Sequence, residues 1–212
     1  MTSTLGVPQN LVSYHLGLLR RGGLVRERRS SRDGRDVYYR LDVHMLRRGL
    51  ERLRAGLDQD LALSTDPEAA RGSVLFLCSG NSARSQIAEA LLRYRSDERV
   101  DSASAGTRPD GVHPLALEVL NGMGVPTAGL RSKHWSELGD RHFDRIVSLC
   151  DIAREELPKA LLGSNNTHWS LADPAAVRGS TARRKAVFHS AVEEISERIE
   201  GLLGSMAREH VA

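Results

Sequence analysis

Cys78 and Arg84 flank a short segment, Ser79-Gly80-Asn81-Ser82-Ala83, within the stretch VLFLCSGNSARSQIAEALLR. An apolar run leads into the cysteine and a helical pattern follows the arginine, so the segment reads as a loop between a strand and a helix. In that position the two residue types make chemical sense together. Backbone N–H groups of a short Gly-containing loop can converge on one oxyanion, and the helix N-terminus adds positive potential. The guanidinium of Arg84 offers a fork matched to a tetrahedral oxyanion. The same field favours the thiolate of Cys78, the nucleophilic form, and Ser85 can donate a further hydrogen bond to it. By itself, a Cys-x5-Arg spacing also suits a buried strand-end cysteine near a surface arginine. The other cysteine, Cys150, has the same bland alternative: a buried thiol with no redox task.

Such a loop needs a rigid frame, and the sequence supplies one from residue 73 onward. SVLFLC, RVDSASAG, FDRIVSLC and NTHWSL read as strands. Helical patterns lie between them: Ile87, Ala88, Ala90, Leu91 and Leu92, then stretches around 114–123 and 151–160. A final long helix carries Val187, Ala191, Ile195, Ile199 and Leu202 on one stripe. Strands alternating with helices predict an α/β fold, a four-stranded parallel sheet flanked by helices. Ligands of such sheets sit beyond the carboxyl ends of the strands, where both Cys78 and Cys150 fall.

The first third has another rhythm. Val7-Pro8 opens a helix populated by Leu11, Leu16, Leu18 and Leu19, which Gly22-Gly23 ends. LVRER and VYYRL read as a hairpin around the turn signal Arg32-Asp33-Gly34-Arg35. A second helix follows, striped by Leu46, Leu50, Leu53, Leu57 and Leu61. The expected division is a small α+β module over 1–62, a linker over 63–72, and the α/β domain over 73–212.

Composition narrows the class. With 212 residues, 40% hydrophobic and 27% charged, the chain fits a globular protein rather than a disordered one. No apolar run reaches the length of a membrane span, the first residues lack a signal-peptide pattern, and two cysteines cannot staple a secreted scaffold. A cytoplasmic location is expected. Net charge divides unevenly, +4 over residues 1–72 and −1 over the rest, with twelve arginines against five acids in residues 20–54. That block suits a phosphate backbone or a self-paired helical face about equally.

The Cys78 loop resembles the catalytic loop of low-molecular-weight tyrosine phosphatases, specifically their arsenate reductase branch. The shared residues are Gly80-Asn81, Ser82-Ala83-Arg84-Ser85-Gln86 and Ala88-Glu89. SAGTRP (104–109), His113-Pro114-Leu115-Ala116, Leu130-Arg131-Ser132-Lys133 and HWSLADPA (168–175) match the reductases in the same order, so the resemblance spans residues 73–203. It implies that loop 79–85 holds arsenate, that Cys78 attacks arsenic, and that Asp173 protonates the leaving oxygen. Ala175 stands where the tyrosine phosphatases usually carry an aromatic residue, which with Ser82-Ala83 favours arsenate over phosphotyrosine. Cys150 matches the cysteine that attacks the first one in thioredoxin-coupled members. The further cysteine of that relay is replaced by Leu157. Either Cys150 pairs with Cys78 directly, or a small thiol attacks the adduct; the reductant is then mycothiol, glutathione or thioredoxin, with no bound cofactor. Some members bind potassium through residues matching Asn81, Glu89 and Ser104, but Lys133 stands where their Asp would, so no potassium and no other metal is expected. His113 and His168 read as structural.

The N-terminal blocks SYHLGLLRRGGLV and GRDVYYRL resemble the recognition helix and wing of ArsR-type winged-helix repressors. The resemblance implies Gln9, Ser13 and His15 facing bases, Arg32 and Arg35 meeting phosphates, and homodimerisation through helix 43–62. Such repressors carry further core helices ahead of this point and a metal-sensing cysteine pair, neither of which is in this sequence, which weighs against DNA binding by the chain alone. Three functions are therefore in play: arsenate reduction first, then a phosphatase of the same fold, then a DNA-binding arsenic-responsive regulator with an oxyanion-sensing domain.

Overall fold

The computed structural model describes residues 6–30, 36–56, 69–158 and 166–211. The chain forms two compact units, Met1–Ser64 and Thr65–Ala212.

In the first unit, helix α1 (Gln9–Arg21) is followed by an antiparallel hairpin and a second helix. The hairpin is β1 (Val25–Arg29) against β2 (Val37–Leu41), and the helix is α2 (Val43–Gly56). Pro8 caps α1 because a proline at a helix start forfeits no helical hydrogen bond. Asp42 caps α2 through Met45 N–H (3.1 Å) and is held by Arg26 (2.8 Å). Among the described residues of this unit Val25 is the one buried apolar side chain, and α1 buries none of its residues. The turn 32–35 and positions 57 to 62 of the leucine stripe lie outside the described residues.

The second unit is built on four parallel strands in the order β4-β3-β5-β6. They are β3 (Gly72–Cys78), β4 (Val100–Gly106), β5 (Arg145–Ser148) and β6 (Asn166–His168). β3 is central, so Val74, Leu75, Phe76 and Leu77 are all fully buried, as an interior parallel strand requires. The helices are α3 (Arg84–Arg95), α4 (Pro114–Gly122), α5 (Asp151–Glu156) and α6 (Thr181–Val211). β3 begins one residue inside the expected linker. α6 buries Phe188, Val192, Ile195, Ile199, Leu203 and Met206. That line includes Ile195 and Ile199 of the expected stripe but runs beside Val187, Ala191 and Leu202, which stay half-buried. Cys78 is the last residue of β3 and Cys150 stands two residues after β5, both at the carboxyl end of the sheet. Among the described residues no helix is long and apolar enough to cross a membrane.

Candidate active site

The loop after β3 is held by its carbonyls. Ser79 O accepts from Arg108 N–H (2.9 Å), Gly80 O from Asp110 N–H (2.9 Å), Ser82 O from His113 N–H (2.9 Å) and Ala83 O from Ile87 N–H (2.9 Å). Asn81 O accepts from Gln86 Nε2 (3.1 Å) and Gly80 O also from Ser132 Oγ (3.3 Å). A planar trans peptide sets each N–H opposite the preceding carbonyl. Carbonyls tied to the surroundings therefore turn the N–H groups of residues 80–84 toward the loop's own centre, the concavity that binds anions. Asn81 takes the left-handed conformation this curl needs, with φ of 43°. The end of β4 lies so close that a Cβ on Gly106 would sit 2.5 Å from Ser79 O and 2.8 Å from Asn81 N. A glycine is required there.

A directed chain of hydrogen bonds ends at the nucleophile. Asn81 Oδ1 accepts from Lys133 N–H (2.8 Å), which fixes the orientation of its amide. Its Nδ2 then donates to Ser85 Oγ (2.9 Å) and Ser104 Oγ (2.8 Å). Ser85 Oγ in turn stands 2.9 Å from Cys78 Sγ and donates to the sulfur when it is the thiolate. Ser104 donates to Glu89 Oε2 (2.5 Å), and Lys133 Nζ stands 3.9 Å from the same carboxylate. Lys133 thus brings its own positive charge to Glu89, and the group does not suit a second cation. Cys78 is 2% exposed, at the bottom of the cradle.

Arg84 faces the opposite wall. Its Nη1 donates to Leu171 O (3.1 Å) and its Nη2 pairs with Asp173 Oδ2 (3.1 Å). Asp173 Oδ1 accepts from Ala175 N–H (3.1 Å), an Asp-Pro turn that aims the other oxygen at the arginine. The turn and the active-site position are one arrangement rather than alternatives.

Cys150 caps α5 and is 3% exposed. The residue before it is paired to the end of β3, Leu149 N–H donating to Leu77 O (2.7 Å). Burial holds its thiol above the ordinary range; Arg84 opposes this and Cys78 reinforces it. Both thiols are free. Leu157, at the end of α5, is buried apolar packing.

Sequence reasoning missed a network behind Cys150. Asp151, fully buried, accepts from Ser170 Oγ (3.1 Å) and lies 3.3 Å from His168 Nε2. His168 Nδ1 meets Ser148 Oγ at 2.8 Å. Burial pushes this imidazole below its usual range, against the pull of Asp151. The signal was the charged residue directly after Cys150, at a position the sheet buries. His113 does more than cap α4, since its backbone also ties Ser82.

In the first unit, Gln9, Ser13 and His15 are all exposed on α1. Gln9 and Ser13 are a turn apart on one side, whereas His15 lies about 160° around the helix from Ser13. Arg32 and Arg35 lie outside the described residues.

Known proteins share this architecture. An arsenate reductase of Halalkalibacterium halodurans is 32% identical over 127 residues, which cover 60% of this chain and 91% of that protein. An arsenate reductase solved in a phosphate-binding state is 26% identical with a TM-score of 0.55, covering 63% of this chain and 98% of that one. The thioredoxin-dependent arsenate reductase of Corynebacterium glutamicum is 27% identical with a TM-score of 0.52, covering 78% of this chain and 77% of that one. Residues 73–212 match the family described as low molecular weight phosphotyrosine protein phosphatase, and with that match over its oxyanion loop and sheet the chain belongs to this family.

Proposed function

We propose that the chain reduces arsenate to arsenite with Cys78 and Cys150 as the two-electron donor pair. The observation that supports this reading is the pairing at the carboxyl ends of β3 and β5, where Leu149 N–H donates to Leu77 O (2.7 Å), so that buried Cys150 follows directly beside buried Cys78. A phosphoester hydrolase needs one nucleophile there; a second thiol supplies electrons.

Arsenate enters the cradle of N–H groups, and Arg84 takes it as a bidentate partner. Once arsenate replaces Asp173 on Arg84, the freed carboxyl carries a proton taken from solvent; the Cys78 thiolate, held by Ser85, forms a bond to arsenic, and one oxygen leaves as water with that proton. Cys150, as thiolate, then attacks Cys78 Sγ. The S–S bond forms, the S–As bond breaks, and its electron pair stays on arsenic, which departs as arsenite. Arsenic gains two electrons and the two thiols lose them. An external thiol, such as mycothiol, glutathione or thioredoxin, restores the pair. Since Leu157 holds the place of a further cysteine, the reductant acts on the Cys78–Cys150 bond itself.

The test is steady-state arsenite production with each donor system supplied separately. Turnover with one of them supports the reading and names the donor class. No turnover with any, alongside hydrolysis of p-nitrophenyl phosphate, would make the protein a phosphatase.

A further inference from the structure

Resting on the reductase reading, we propose that His113 is a positioning residue of the oxyanion loop, which keeps the loop in its binding shape only while its imidazole is neutral. Three contacts converge on this residue. Its backbone N–H donates to Ser82 O (2.9 Å), which turns the Ala83 N–H into the cradle. Its Nδ1 accepts from Leu115 N–H (3.1 Å) while its carbonyl accepts from Ala116 N–H (2.9 Å), so it caps α4. Its ring stacks on the buried Phe188 of α6, with centroids 4.7 Å apart and planes inclined by 28°. One residue thus ties the loop to two helices.

The cap sets a condition on charge. Nδ1 can accept from Leu115 only with its lone pair free, which fixes the neutral tautomer with the proton on Nε2. A second proton would go to Nδ1 and set two N–H groups against each other. The chain would then leave its capping geometry, and the Ser82 tether belongs to the same residue. The charges facing the ring come from the two other elements beside it. Burial pushes the imidazole below its usual range, Arg184 on α6 pushes the same way, and Asp173 on the acid loop pulls upward. The ring is therefore neutral at physiological pH and charges in acid, when the loop loses its tether.

The test uses sulfate, a tetrahedral oxyanion that stays dianionic from pH 8 to 5, titrated into the full chain by calorimetry. His113→Asn is the informative variant, because asparagine also caps helices and does not titrate. Wild type and H113N should bind sulfate within about twofold of each other at pH 8, and at pH 5 wild type should bind about fivefold or more weakly than H113N. Every other group of the site is common to both proteins and cancels in the ratio. His113→Ala, with no cap, should bind weakly at both ends of the range. Parallel curves for wild type and H113N would overturn the proposal, as would an H113N already weakened at pH 8. Sulfate involves no arsenic chemistry, so failure of the reductase reading would show separately, as absent arsenite production with the sulfate effect intact.

Discussion

Ser85 and Cys150 carry the sharpest expectations at the scale of single residues. Ser85 Oγ lies 2.9 Å from Cys78 Sγ, and toward the thiolate, which has no proton of its own, the hydroxyl is the donor. A hydrogen bond to a charged group contributes about 1.5–3 kcal/mol, so Ser85→Ala should lower the rate of the first chemical step by roughly 10- to 100-fold. Rapid-quench detection of the arsenic adduct measures that step. Burial raises the pKa of the Cys150 thiol. Its raised pKa means that the attacking thiolate becomes more abundant as pH rises, so arsenite release in a single turnover should accelerate about tenfold per pH unit from pH 6 to 8. A pH-independent release rate would exclude Cys150 as the attacking group. The Cys78–Arg84 loop between strand and helix was legible in the sequence because it is local, whereas Asp173 stood out only through the family resemblance. The Asp151–His168 pair was not, since its partners are 17 residues apart and meet only through strand pairing.

The elements position the site through close contacts that sequence pattern only partly reveals. Gly106 shows this. In SAGTRP it reads as one glycine at a strand end, yet its missing Cβ is what lets β4 lie against Ser79 and Asn81. Gly106→Ala should displace the loop, destabilise the fold by about 1–3 kcal/mol and remove activity, as denaturant unfolding and turnover would show. The strands themselves were legible from the sequence, with ends shifted by one to three residues. The stripe of α6 was caught only in part, because Val187, Ala191 and Leu202 flank the buried line at a helical spacing that pattern alone does not separate. Phe188 is the informative position: it fills the core and supports the His113 ring. Phe188→Ala should cost about 3–5 kcal/mol in an unfolding titration.

At the scale of the whole molecule, the division of labour is plain. The core running from Ala70 to Ala207 includes both Cys78 and Cys150. The first unit exposes Leu11, Tyr14, Leu18, Leu19, Val37, Leu41 and Leu50 and buries almost nothing of its own. Residues 65–212 alone should therefore retain arsenate turnover within about twofold of the full chain, since no core side chain is lost. A fall well beyond that in kcat/KM would give the first unit a part in catalysis. The account as a whole rests on two thiols delivering two electrons to one oxyanion. Its most direct test is a single turnover of the reduced, purified chain with arsenate and no added thiol. One equivalent of arsenite per chain should appear together with a Cys78–Cys150 disulfide, Cys78→Ser should yield none, and Cys150→Ser should yield none until a small thiol is added. Arsenite absent under all of these conditions, or formed equally well by Cys78→Ser, would contradict it.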